Sequence, residues 1–245
     1  ILTFTVSGNG GVSYSQTLSA GKNMVAGKAY NYAVSLDMDE PQYVAVDLGL
    51  PSGLKWASFN VGATKPYEYG DYFAWGETSP KESYSAENYK WVNTLGRLTK
   101  YCTSSHLGRP DGLTILEPAD DAATAALGDG WRTPTQKEMQ ELLEKCTWTW
   151  SSLNGCQGYM VRSNVKGYTD KYIFLPAAGL FFGNENPTLN YYGYYWTSEC
   201  PDLSDLDPKK TPVESAYYLD IQIETAGWSM TSRVGGFTIR PVYTK

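Results

Sequence analysis

The sequence predicts an α+β fold: two helices on an irregular antiparallel sheet, with a further antiparallel β segment at the N-terminus. Three patterns point to it. Residues 1–40 alternate apolar and polar side chains with period two. Residues 135–146 place apolar side chains at helical spacing behind a capping box. After residue 146 the chain reads as short strands punctuated by turn residues.

Taken in order, residues 1–40 give three strands. Leu2, Phe4 and Val6 line one face of the first, and Val12, Tyr14 and Leu18 lie between. Tyr30, Tyr32, Val34, Leu36 and Met38 line one face of the last. Three strands with one apolar face cannot bury it alone, so the segment is expected to complete a larger sandwich. Because Ile1 opens inside a strand pattern, the mature protein is expected to start further upstream. Asp39-Glu40-Pro41 is a polar hinge, and a second domain is expected over residues 41–245.

That domain opens with a strand at Tyr43 to Asp47, a turn at Pro51-Ser52-Gly53 and a return over Leu54 to Asn60. Gly70 to Gly76 is extended, and residues 77–115 read as loop. Residues 119–127 form the first helix, with acids in its first turn and Gly128 as its stop. Thr135 to Cys146 form the second. Thr135 and Glu138 make its capping box, and Met139, Leu142, Leu143 and Cys146 make its apolar stripe. Strands follow at Thr147–Trp150, Tyr159–Arg162, Lys171–Leu175, Tyr194–Ser198, Ala216–Ile223, Trp228–Thr231 and Gly236–Val242. Two long polar connections, Phe182–Asn190 and Glu199–Val213, have the length usual for functional loops.

Charge and composition narrow the partners. A net charge of −6 argues against nucleic acid and anionic membranes, and no apolar run is long enough to span a bilayer. The 20 Tyr and 8 Trp against 7 Phe favour half-wet binding surfaces, although β-rich cores also use such rings. Four cysteines leave two readings. Cys146 and Cys156 bridge the arms beside Asn154-Gly155, or Cys102, Cys146, Cys156 and Cys200 are all free and buried.

Several blocks resemble one family. They are Val46-Asp47-Leu48-Gly49-Leu50-Pro51-Ser52-Gly53-Leu54-Lys55-Trp56, Asn60-Val61-Gly62-Ala63 and Gly70-Asp71-Tyr72-Phe73-Ala74-Trp75-Gly76-Glu77. Leu116-Glu117-Pro118, Asp120-Asp121-Ala122-Ala123 and Gly130-Trp131-Arg132-Thr133-Pro134-Thr135 follow. Leu175-Pro176-Ala177-Ala178-Gly179, Tyr195-Trp196-Thr197-Ser198 and Gly236-Phe237-Thr238-Ile239-Arg240-Pro241-Val242 close the series. Together they resemble the Fibrobacter succinogenes major paralogous domain family. The resemblance implies a C-type-lectin-like fold, shared with formylglycine-generating enzymes and retroelement-diversified proteins, on an exported bacterial surface protein. Ala26-Gly27-Lys28-Ala29-Tyr30-Asn31-Tyr32 resembles the end of a fimbrillin-like domain, which implies a pilus-associated adhesin.

An enzyme is not expected. The related enzymes use two cysteines near the C-terminus, and only Cys200 lies in the last third here. His106 stands alone, and Asp120-Asp121 reads as helix-start charge or as a partner for a buried Arg240. No cofactor is expected. Calcium at Asp202, Asp205 and Asp207 is the weaker alternative to a solvated acidic loop.

In the family resembled, the C-terminal sheet and its loops form the recognition surface. The resemblance places that surface on Asn184, Asn186, Asn190, Tyr191 and Tyr192, and on Glu224, Trp228, Met230, Ser232 and Arg233. Asn, Tyr and Ser suit an adaptable binding face with Trp as anchor, although Trp228 reads equally as a core ring. The expected ligand is a glycan or a surface protein, with pilus subunits as further partners. The alternative is a structural pilus subunit in which this domain is a spacer.

Overall fold

A computed structural model describes residues 2–7, 13–18, 43–202, 204 and 215–244. The fold is α+β, with two α-helices and four antiparallel sheets among the described residues. The chain divides into two units, Ile1–Asp39 and Glu40–Lys245. In the first, β1 (Leu2–Ser7) pairs antiparallel with β2 (Ser13–Leu18), setting Leu2 opposite Leu18 and Val6 opposite Tyr14. The third strand expected at Tyr30 to Met38 lies outside the described residues.

The second unit begins with β3 (Ala45–Asp47) and β4 (Lys55–Ala57), shorter than expected. The first helix also starts later than its acids suggest. Pro118–Asp120 form a 3-10 turn, Asp121 is the N-cap and α1 covers Ala122–Leu127. Asp121 accepts from the amides of Ala123 and Thr124, the usual service of an N-cap carboxylate. Two-residue β5 (Trp131–Arg132) leads into α2 (Gln136–Lys145). Here the capping box is complete, with Glu138 and Thr135 each bonding the other's amide. Met139 and Leu142 are fully buried by the stripe, and Cys146 falls just past the helix.

Glu138 also grips Arg132, whose Nη1 donates to Oε2 at 2.8 Å. Burial pushes the Glu138 carboxyl up, but Arg132 and Thr135 outweigh it and hold the carboxyl below its ordinary value of 4.5. A depressed carboxyl stabilises the fold above its unfolded pKa and loses that contribution as pH falls through the folded value. The urea midpoint is therefore expected to fall with acidification below pH 4.5. In Glu138→Gln that part of the fall should be missing, and denaturation curves for both proteins across the acid range check it.

β6 (Cys146–Leu153) and β7 (Cys156–Ser163) form a hairpin on Asn154-Gly155. Both turn residues have positive φ (51° and 82°), the conformation that favours Asn-Gly there. The register decides between the two cysteine readings and excludes the disulfide. Cys156 faces Leu153 at the turn, whereas Cys146 faces Ser163 at the far end. Seven residues of strand separate the two, roughly 23 Å, against a limit of about 7 Å for a bridge. All four cysteines are free and buried.

β8 (Tyr172–Pro176) completes that sheet, and β9 (Tyr192–Trp196), β10 (Ser215–Gln222) and β11 (Thr225–Ser232) form another. β12 (Val242–Tyr243) lies between β4 and β5. The continuous strand expected from Gly236 is instead a set of single bridges, Gly236 to Phe181, Phe237 to Phe73 and Thr238 to Tyr195. Helix α2 packs on β10 and β11, and Met139 and Leu142 share one core with Leu219, Ile221, Val161 and Trp56.

A second core holds Phe73, Trp75, Tyr101, Trp196 and Phe237. Trp196 stacks on Phe237 at 4.0 Å, and its indole N–H donates to Phe73 O. Trp75 returns the bond by donating to Thr197 O, so the two aromatic segments are cross-tied. The stretch expected as loop over 77–115 is ordered by charge on aromatics. Lys90 and Lys100 both sit over Trp91 and both pair with Asp120. Asp120 thus serves those lysines and Asp121 the start of α1, so of the two readings of the acid pair the helix-start one fits and the Arg240 one does not.

Candidate functional site

Strands β9 to β11 present two faces, and their register assigns each side chain. Directly opposite residues share a face. Leu219 lies opposite both Tyr195 and Trp228, and Tyr217 lies opposite Met230. Leu219 and Ile221 are buried with α2, so Trp228 and Met230 lie on the helix side of the sheet. They are nonetheless 50% and 41% exposed, and Trp228 meets Tyr217 edge-on at 6.0 Å. The core-ring reading of Trp228 therefore does not hold. Strand β11 is an edge of its sheet and contains no charged residue.

Tyr192 belongs to the other face, in a row with Gln222. It stacks on Tyr194 at 6.1 Å and 16°. The expected site residues Tyr192 and Trp228 therefore do not form one surface. Glu224 is exposed in the turn between β10 and β11 at φ 69°, a position usually held by Gly or Asn. Asn184 is exposed and Tyr191 is 71% exposed, both ahead of β9.

One assignment, Arg233, needs correction, and three other residues are half-buried. Arg233 is fully buried, donating to Ser215 O at 2.8 Å and Tyr101 O at 2.9 Å, with its guanidinium 4.9 Å from the Trp75 ring. It ties β10 to the second core and reads no ligand. Asn186 donates to Ala178 O, and its oxygen lies where a Cβ on Gly179 would stand, so it fixes the loop. Asn190 spends its oxygen on the Tyr69 hydroxyl at 2.7 Å and on the Gln157 amide. Ser232 is half-buried at the end of β11, opposite Ser215.

That Asn190 bond supports a cleft the sequence reading missed. An open depression of about 560 Å³ lies between Tyr67, Glu68, Tyr69 and Tyr72 and the hairpin turn at Asn154 to Cys156. Burial pushes the Tyr69 hydroxyl up to about 12. Glu68 is held below the usual carboxylate range, because donors on Thr64 and Lys65 outweigh the burial that raises it. The only sequence signal was the spacing of three tyrosines within six residues. Phe182, 70% exposed, and Ile223, 63% exposed, were also missed.

Burial pushes the Cys146 thiol up to about 12 and the Cys200 thiol up to about 11, the direction opposite to an activated nucleophile. Among the described residues no group of three His, Cys, Asp or Glu is placed to hold a metal. Asp205 and Asp207 of the acidic loop lie outside them. No helix of the described residues is long and apolar enough to cross a membrane. The chain matches no protein-family model, no curated protein and no solved structure.

Proposed function

We propose that the chain is a non-catalytic recognition protein: an exported bacterial surface adhesin, anchored in the outer membrane or carried on a pilus. Residues 41–245 are its lectin-like binding domain, and residues 1–40 close a fimbrillin-like domain that joins it to its assembly. The ligand is a glycan or a surface protein, met by β11. One observation carries this reading. An eight-residue edge strand without a single charge holds Trp228 and Met230 in solvent. Edge strands left unblunted, with large apolar side chains exposed, mark places where a partner docks. Weak single contacts would gain strength from many copies on one surface.

The test is binding of the whole chain to immobilised glycans and to extracted cell-surface proteins. A Trp228→Ala, Met230→Ser double variant is expected to lose at least about tenfold in affinity, the ordinary cost of removing an aromatic anchor. Equal binding by the variant and the parent would remove β11 from the site.

A further inference from the structure

Two separate segments, Tyr67 to Tyr72 and the turn Asn154 to Cys156, wall an open cleft of about 560 Å³. That volume lies within the range of small-molecule sites, about 300–1,000 Å³. Two of its rings are locked in place. Tyr69 donates its hydroxyl to Asn190 Oδ1 at 2.7 Å, and Tyr72 donates to Ala178 O while accepting from Asn186 Nδ2 at 3.3 Å. Between them Gly70 stands at φ 75°, and a Cβ there would meet Val61 O at 2.3 Å, so the backbone carrying both rings is pinned.

Other groups in the cleft are left for a ligand. Glu68 spends Oε2 on the Thr64 amide at 2.7 Å, the Thr64 hydroxyl at 2.8 Å and the Lys65 amide at 3.2 Å. The carboxylate is thereby fixed, while Oε1 takes no bond from the described residues. Nor do the Tyr67 hydroxyl and the Asn154 side-chain amide have a partner among the described residues. Rigid rings beside free acceptors and amides are the ingredients of a recognition surface.

Charge decides which ligand fits. Glu68 is the charged residue of the cleft wall. Burial raises its carboxyl, but donors on Thr64 and Lys65 and the Lys65 charge outweigh burial and hold it below 4.5, so it is ionised at neutral pH. Lys65 also sets its ammonium over Tyr67, 5.9 Å from the ring centroid. A cationic ligand would compete with Lys65 for that ring, and an anionic one would meet Glu68. A neutral ligand meets neither cost. It needs an apolar face for the rings and hydroxyls around its edge for the carboxylate and the amide. A pyranose offers both, since its axial C–H bonds make one face apolar and its equatorial hydroxyls point sideways.

We propose that this cleft is a second binding site, which takes a neutral pyranose of a glycan against Tyr67, Tyr69 and Tyr72, with Glu68 and Asn154 holding its hydroxyls. It uses no residue of β11, so it stands or falls independently of any ligand met there.

The experiment is an NMR titration of the whole chain with the methyl pyranosides of glucose, galactose and mannose. Nα-acetyl-lysine methylamide and glucuronate serve as the cationic and anionic arms. At least one neutral pyranoside is expected to shift the amide resonances of Gly70 and Gly155, one on each wall, at millimolar concentration. The charged arms are not. Tyr67→Ala removes a ring, and Asn154→Gly removes the side-chain amide at a φ of 51° that glycine adopts freely. Each should weaken that pyranoside about fivefold or more, and Trp228→Ala should leave it unchanged. The proposal is overturned if no pyranoside shifts either glycine, or if binding survives unchanged in Tyr67→Ala and Asn154→Gly. Shifts from a charged arm as strong as those from the pyranosides overturn the neutral assignment. Loss of the pyranoside in Trp228→Ala but not in Tyr67→Ala would put the sugar on β11 instead.

Discussion

Arg240→Ala is expected to destabilise residues 40–245 by about 3–5 kcal/mol. The guanidinium is fully buried, and among the described residues no carboxylate pairs with it. It donates instead to Phe174 O and Asn60 Oδ1, both at 2.8 Å, to Ala57 O at 3.2 Å and to Ser58 O at 3.4 Å. Phe174 belongs to β8 and Ala57 to β4, so one side chain ties two sheets. Burial pulls its pKa down to about 10, still well above neutral, and the group remains charged. Truncation would leave these acceptors in a dry interior at about 1–3 kcal/mol each, alongside a cavity. Even with partial relaxation, a loss of about 3–5 kcal/mol is expected, comparable to the whole stability of a marginal domain. Arg240→Lys should recover little, because an ammonium cannot reach four acceptors arranged around a planar fork. Urea denaturation followed by near-UV circular dichroism checks both. A loss below about 1 kcal/mol for the alanine variant would mean the acceptors find other donors.

The same contacts explain which parts of the fold the sequence made legible. Helix α2 announces itself because its signals are local. Thr135 and Glu138 are three residues apart, and Met139 and Leu142 repeat on one turn. The Asn154-Gly155 hairpin is local in the same way. Arg240 and Asn60 are 180 residues apart, and no pattern within a window of the sequence pairs them. Residues 77–115 looked shapeless for this reason. Their order comes from Lys90 and Lys100, which lie over Trp91 and pair with Asp120, an arrangement visible only once the chain has folded. Arg233 was misplaced because an arginine after a polar strand end usually reaches solvent, whereas this one is claimed by carbonyls at Tyr101 and Ser215.

The candidate site shows a subtler loss. Alternation in β10 was readable and said that two faces exist, but not which one α2 covers. The resemblance placed Trp228, Met230 and Tyr192 on one recognition surface. That they lie on opposite faces follows only from the pairing of Leu219 with Trp228 and of Gln222 with Tyr192.

Asp121→Ala is expected to cost about 2–4 kcal/mol, because one carboxylate performs two separable tasks. The first is capping. Oδ1 accepts from the Ala123 amide at 2.9 Å and the Thr124 amide at 3.4 Å, a service worth about 1 kcal/mol. The second is a tether to the segment after β5. Oδ2 accepts from the Thr133 amide at 2.8 Å, and Oδ1 accepts from the Thr133 hydroxyl at 2.7 Å. Thr133 is fully buried, so an orphaned amide there finds no water and costs about 1–3 kcal/mol. Asp121→Ser separates the tasks, since serine caps a helix well but is too short to hold Thr133. It should recover the cap and leave the tether broken. The consequence reaches the end of β9: Ser198 donates to Pro134 O, directly after Thr133, and Trp196 stands two residues earlier. Amide hydrogen exchange at Thr133 and Ser198 should therefore quicken in both variants, while exchange in α1 quickens only in Asp121→Ala. Equal protection of Thr133 in parent and serine variant would show that the tether does not hold it, and that capping accounts for the whole effect.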